Sequence, residues 1–192
     1  MARQIGEARA KIIEAAYKLF YRRGYARVGV DEIAAAAGVT KRTLYYHFQS
    51  KDDVLARVLE EQGPLALERI KVWTFLGDRD PAAALDRLFA ELTKWISNPN
   101  WSGSGFTRLA VELADLPGHP ARKIAHLHKL EVEATYREFL SSIGVAEPAK
   151  RARELSIVLE GTLLQVLLHG DLTYAEVGCA LLRDRIARTL PV

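Results

Sequence analysis

The amino-acid sequence predicts an all-α protein of about nine helices. A small helix-turn-helix domain comes first and a larger helical region follows. Three observations predict this. Apolar residues recur at i, i+3, i+4 and i+7 through most of the chain, the period of one helix face. No segment alternates apolar and polar residues as a half-buried strand does. Turn signals, such as Gly24, Gly38, Asn98-Pro99-Asn100, Leu116-Pro-Gly-His-Pro120 and Gly144, punctuate the periodic segments. With 192 residues, 49% of them hydrophobic, the chain can bury a sizeable core. The domains expected are residues 1–50 and residues 51–192.

Glu7 to Arg23 reads as the first helix, with Ile12, Ala16, Leu19 and Phe20 as its inner stripe. Arg22 and Arg23 suit its C-terminal dipole, and Gly24 ends it. Val30, Ile33, Ala34 and Ala37 form one face of a short second helix. Gly38 breaks it, because glycine takes the positive φ of a tight turn without strain. Thr40 caps a third helix with Leu44 and Phe48 inward. Two helices joined by a short glycine turn make a helix-turn-helix, whose second helix is shaped for a DNA major groove.

Ser50-Lys-Asp-Asp53 fits a capping pattern, so a long helix runs from Lys51 to about Val72. Val54, Val58, Leu65 and Ile70 face inward, and Gly63-Pro64 predicts a kink or break. Asp80-Pro81 starts a helix with Leu85, Leu88, Phe89, Leu92 and Ile96 as its stripe. A short helix from Phe106 to Asp115 follows, with Arg108, Glu112 and Asp115 read as its solvent face. Further helices span about Ala121 to Ile143 and Pro148 to His169. The second of these is apolar nearly all round, which predicts cover on every side, the outer side by another copy of the chain. Asp171 to about Leu190 gives the last helix, with Val177, Leu181, Ile186 and Leu190.

Charge and surface chemistry point to a polyanion. The net charge is +3, but residues 1–53 hold 10 Lys and Arg against 6 Asp and Glu, and the remainder 17 against 18. On the third helix Lys41 and Tyr45, Arg42 and Tyr46, and Thr43 and His47 form three columns of hydrogen-bond donors with no acid among them. A helix that meets phosphates and base edges has this character.

The run LFYRRGYARVGVDEIAAAAGVTKRTLYYHFQSKDDVL resembles the DNA-binding domain of the TetR (tetracycline repressor, AcrR-type) family of bacterial transcription regulators. The resemblance runs without a gap from about Ile12 to Leu55. It is carried by Leu19-Phe20, Gly24-Tyr25, Asp31 to Ala34, Ala37 to Thr40, Thr43 to Tyr45, His47-Phe48 and Ser50-Lys51. Gly29 departs from the Ser or Thr usual at that cap and brings no hydroxyl to a phosphate. The resemblance implies that Thr40, Lys41, Arg42, Thr43, Tyr45, Tyr46, His47 and Lys51 lie at or near DNA. Arg42 and Lys41 are then candidates for guanine edges, and His47 and Lys51 for phosphates. It also implies a homodimer on a palindromic double-stranded operator. The interface would draw on Leu155, Leu159, Leu163, Val166, Leu181 and Ile186. Repression released by an unknown small-molecule effector completes the expectation.

Aromatic and polar residues set in apolar helices are the candidate effector contacts: Trp73, Trp95, Trp101, Phe106, His128, Tyr136, Phe139 and Gln165. Thr162, Gln165 and His169 form a polar column on an apolar helix. No two of the five histidines have i, i+4 spacing, and no metal site or cofactor is expected. No phosphate loop, GxSxG, HExxH or CxxC is present, so no catalytic residue is assigned and no enzyme is expected. The lone Cys179 reads as a packed thiol. No apolar run approaches about 20 residues and the N-terminus lacks a signal-peptide core, so the expected location is cytoplasmic, away from membranes. The alternative reading is an all-α small-molecule-binding protein or enzyme whose helix-turn-helix is incidental.

Overall fold

The computed structural model describes residues 2–75 and 80–188. Among them, nine helices and no strand are present: α1 (Ala2–Arg23), α2 (Val30–Ala36), α3 (Lys41–His47), α4 (Lys51–Phe75), α5 (Pro81–Ile96), α6 (Gly105–Glu112), α7 (Pro120–Ser142), α8 (Pro148–His169) and α9 (Thr173–Ala187). The all-helical expectation holds. Leu190, expected in the last helix, lies outside the described residues.

The chain forms two compact units, one of residues 1–64 and 105–127 and the other of residues 65–104 and 128–192. The first unit therefore extends past residue 50 to take in the start of α4, all of α6 and the first turns of α7. Its core is built by Ile12, Ala16 and Phe20 of α1, Val28, Ile33 and Ala34 around α2, Leu44 of α3 and Phe48 just after it, and Val54, Leu55 and Val58 of α4. The second unit buries Leu85, Leu88, Phe89 and Leu92 of α5 with Tyr136, Phe139 and Leu140 of α7 and Leu155, Leu159 and Leu163 of α8.

Two expectations along α4 meet a different outcome: no break is present at Gly63-Pro64, and Leu65 does not face inward. α4 runs unbroken through Pro64. A proline removes one intrahelical bond, and the turns on either side persist. Leu65 on the same helix is 59% exposed, not inward.

α8 is two-faced. Leu155, Leu159, Leu163 and Val166 are buried in the chain's own core, whereas Ile157, Leu164 and Leu168 are exposed. On α9, Leu182 and Ile186 are buried while Val177 and Leu181 stand out. The polar column on α8 also divides: Thr162 is buried and Gln165 and His169 face outward. Thr162 lies over Gly178 of α9, where an added Cβ would fall well inside the contact distance of the Thr162 hydroxyl. Gly178 is thus required by close helix packing. Gly178→Ala should cost about 1–3 kcal/mol of stability by overpacking. In a Thr162→Ala background the same change should cost less. Denaturant melts of the two single variants and the double variant measure this coupling.

Candidate nucleic-acid interface

The helix-turn-helix forms from short-range chemistry. Gly29 stands before α2 in extended conformation (φ −90°, ψ 158°) and makes no side-chain cap. Gly38 takes φ +66° and turns the chain toward α3. The Gly38 and Val39 amides donate to the carbonyls of Ala35 and Ala34, which closes the turn. The Thr40 hydroxyl accepts from the Thr43 amide at 3.0 Å and fixes the first turn of α3. Leu44 and Phe48 anchor the helix from within, at 0% and 3% exposure.

That anchoring decides what α3 presents. Arg42, Tyr45 and Tyr46 are exposed on its outer side, Tyr46 at 72% and Tyr45 at 48%. The Tyr46 ring packs edge-on against His47 at 5.2 Å. Lys41 is exposed, but its ammonium pairs with Asp31 of α2 at 2.9 Å. Asp31 raises the Lys41 pKa by hydrogen bonding and charge, so this side chain must leave Asp31 to reach a phosphate. Thr40 and Thr43 share a 2.8 Å hydroxyl contact in the cap. His47 is half-buried at the C-terminal end of α3.

Lys51 sits differently from the phosphate contact expected of it. Its Nζ donates to the carbonyls of Tyr25 at 3.1 Å and Val28 at 3.2 Å. It also lies 4.0 Å from the centre of the Tyr25 ring. The Tyr25 hydroxyl donates to Asp52. Burial is the main cause that pushes the Tyr25 hydroxyl above its usual range, with Asp52 adding to it. His119 approaches the same tyrosine edge-on at 5.8 Å, accepts the Ala121 amide on Nδ1 at 3.1 Å, and places Nε2 3.4 Å from Asp52. Lys51 therefore fastens the segment that leads into α2.

A second fastening was not read from the sequence. Glu112 and Arg108, assigned there to a solvent face of α6, reach the end of α1. The Glu112 carboxylate accepts the backbone amides of Tyr25 at 2.9 Å and Ala26 at 2.6 Å. Arg108 donates to the Tyr21 carbonyl at 2.9 Å. Gly24 has φ +84°, and a Cβ there would meet a Glu112 oxygen at 3.1 Å. No local signal could have revealed this, because the partners lie 87 residues apart.

The candidate effector residues scatter more. Trp73, Trp95 and Trp101 form a ring-on-ring series, each step 5.9 Å, with Arg69 over the Trp95 face. Tyr136 and Phe139 are buried in the same unit, and burial pushes the Tyr136 hydroxyl up. Phe106 belongs to the first unit, and Gln165 is exposed. His128 is 7% exposed. Burial, then the neighbouring Lys129 charge, lowers its pKa to about 4 against a partial offset from Glu160. Cys179 is half-buried, and burial pushes its thiol up. Among the described residues no group of three metal-ligating side chains comes together, and no helix is long and apolar enough to cross a membrane.

Comparison with known proteins places this geometry. Residues 12–58 match the family described as "Bacterial regulatory proteins, tetR family". The transcriptional regulator LmrA of Bacillus subtilis is 29% identical over 160 residues, covering 82% of this chain and 83% of that protein. TtgR of Pseudomonas putida is 46% identical over 54 residues, 28% of this chain and 26% of that one. IcaR of Staphylococcus epidermidis, named as a negative regulator of a biofilm operon, is 26% identical over 130 residues, 68% of this chain and 65% of that one. Among solved structures, a TetR-family regulator from Streptomyces coelicolor superposes with a TM-score of 0.86 at 24% identity, covering 97% of both chains.

Two outcomes follow from these environments. Lys51→Met should lower the melting temperature yet leave the slope of log affinity against log salt unchanged. A true phosphate contact would flatten that slope by about 0.9. Titrations on one DNA fragment at several salt concentrations separate the two. His128 gives a pH signature. Its folded pKa lies below its ordinary 6.5, so the unfolded chain binds the proton more readily between about pH 4 and 6.5. Stability should fall as pH drops through that window, and His128→Gln should remove that part of the dependence in thermal melts.

Proposed function

Because this chain belongs to the TetR family of bacterial regulatory proteins, we propose that it is a ligand-responsive repressor that binds a palindromic operator as a homodimer. DNA-binding transcriptional regulation is the family's activity and this chain's. The observation that carries the finer reading is the outer side of α3. Arg42, Tyr45 and Tyr46 are exposed there without an acidic neighbour on the helix, while Leu44 and Phe48 hold it rigid. Arg42 suits a bidentate contact to a guanine edge. Tyr45 suits a base edge or a thymine methyl. Thr40 and Thr43 shape the helix start, and Lys41, Tyr46 and His47 serve the phosphates on either side. Lys51 acts by positioning.

We assign DNA contact to residues 1–50, and effector binding and dimerisation to residues 51–192. The six aliphatic interface residues expected from the sequence need revision. Five of them are covered by their own chain, and only Leu181 is exposed, at 60%. The dimer face we infer is Ile157, Leu164 and Leu168 of α8 with Val177 and Leu181 of α9. Two helices from each copy would make a four-helix contact, self-complementary about a two-fold axis. Recognition helices related by that axis address major grooves about 34–36 Å apart. We place the effector among Trp73, Trp95, Trp101, His128 and Tyr136. It relieves repression only if it binds the DNA-free state more tightly. The repressor sign follows the relative named as a negative regulator.

Arg42→Ala should weaken binding to the DNA flanking the chain's own gene by about 10- to 100-fold and leave the dimer intact. Leu168→Glu with Leu181→Glu should abolish the dimer and specific binding together. Titration against competitor DNA and size-exclusion chromatography read both. A monomeric Arg42→Ala protein would contradict this division of labour.

A further inference from the structure

The first unit holds a cavity that neither the DNA surface nor the effector region uses. It lies between α1, α4 and α6 and has a volume of about 70 Å³. Its walls are Tyr17, Phe20 and Tyr21 of α1, Leu59 of α4, and Phe106 and Leu109 of α6. An engineered cavity of about 150 Å³ lined by apolar side chains takes up a benzene ring, and drug-sized ligands need roughly 300–1,000 Å³. The space here is under half that benzene-binding volume but partly open to solvent, so a single ring can enter edge-first with its substituent at the mouth. A larger effector does not fit.

The polar groups at the rim select the ligand's charge. The Glu112 carboxylate is spent on the Tyr25 and Ala26 amides, and Arg108 reaches the Tyr21 carbonyl. A charged ligand would have to shed water beside ions already committed to backbone partners, which is costly. A neutral hydroxyl suits the amide of Gln62, which also lines the cavity and can donate or accept.

We propose that this cavity is a binding site for a small, uncharged, single-ring aromatic of phenol type, and that its occupancy weakens DNA binding. The second half follows from the walls. α6 carries both the cavity lining and the two groups that hold the end of α1 and the segment before α2. A ring wedged between α1 and α6 lengthens those hydrogen bonds and loosens the seating of α2. This site is separate from the effector region of the second unit, and either can exist without the other.

The test uses full-length protein labelled with fluorotyrosine, with phenol and benzoate as probes. Fluorine resonances of Tyr17, Tyr21 and Tyr25 are assigned by single Tyr→Phe variants. Phenol should shift these three saturably, and benzoate at the same concentration should not. Leu59→Phe and Gly105→Leu fill the space and should abolish the shift. Gly105 lines the cavity and an added Cβ meets only the Tyr21 ring at 3.9 Å, an ordinary contact, so this variant decides the matter if Leu59→Phe unfolds. Saturating phenol should also weaken operator binding by about fivefold or more in the unfilled protein and not in Gly105→Leu. Shifts confined to other tyrosines, shifts that survive in a folded Gly105→Leu protein, or equal binding of benzoate would overturn the site. Saturation without any change in operator affinity would overturn its coupling to DNA.

Discussion

The arrangement of the DNA-binding unit depends on how the chain leaves α1. There the backbone turns through Gly24 at φ +84° and exposes the amides of Tyr25 and Ala26. An amide left without a partner in a packed region costs about as much as a lost hydrogen bond. Glu112 takes both amides, and its charge strengthens the two bonds. The glycine is doubly determined. Any other residue would bear about 1–2 kcal/mol of left-handed strain, and its Cβ would press on the same carboxylate. Lys51 completes the fastening by taking the Tyr25 and Val28 carbonyls. Donors and acceptors of one short segment are thus satisfied by two side chains of opposite charge from α4 and α6. The entry of α2 follows from this, and α3 is set against α2 by the Gly38 turn.

The second unit rests on a different economy. α8 is apolar on both sides, and a single chain covers only one of them. Leu155, Leu159, Leu163 and Val166 are at or below 7% exposure, whereas Ile157 and Leu168 are at 68% and 65%. Gly178 under Thr162 lets α9 approach α8 closely, and both helices carry outward apolar residues. Soluble proteins seldom leave such a surface bare. The ion pairs around it are peripheral fasteners. Glu154 meets Arg151 and Arg185, and the Arg185 hydrogen bond is the largest cause of its low pKa, about 2. The exposed Arg185 adds little through its pair, whereas Arg151 is only 5% exposed and relies on Glu147 and Glu154 to offset the burial of its charge.

Helix existence was legible from periodicity, and the helix-turn-helix from its glycine, its cap and its two inward residues. These are signals within a few residues of one another. The misreadings share one cause. Arg108 and Glu112 have the i, i+4 spacing of a surface pair, and Lys51 has the position of an exposed first-turn lysine. Each instead serves a backbone group brought near by tertiary folding, 87 residues away for Glu112 and 26 for the Tyr25 carbonyl. Periodicity also cannot tell the two sides of an all-apolar helix apart. The α8 residues picked for a partner were therefore the ones its own core needed. Pro64 misled in the opposite sense, because a helix of 25 residues keeps its turns on both sides of the one bond that the proline removes.

These corrections change what the recognition helix is made of. With Lys51 committed to carbonyls and Lys41 paired to Asp31, the positive charge most directly offered at α3 is Arg42, flanked by two exposed tyrosines. A surface of that kind gains less from bulk phosphate attraction than a lysine-rich one, and more from contacts with base edges and sugars. Its affinity then leans on how well α3 is held, since a tilt of the helix misplaces a bidentate arginine more than a diffuse charge. Groups that hold the segment before α2, Glu112 and Lys51 among them, thereby bear on how α3 is set. α6 belongs to the same compact unit as α3. Any ligand that displaces it acts on recognition through two hydrogen bonds to the Tyr25–Ala26 segment, without needing to reach the DNA surface itself.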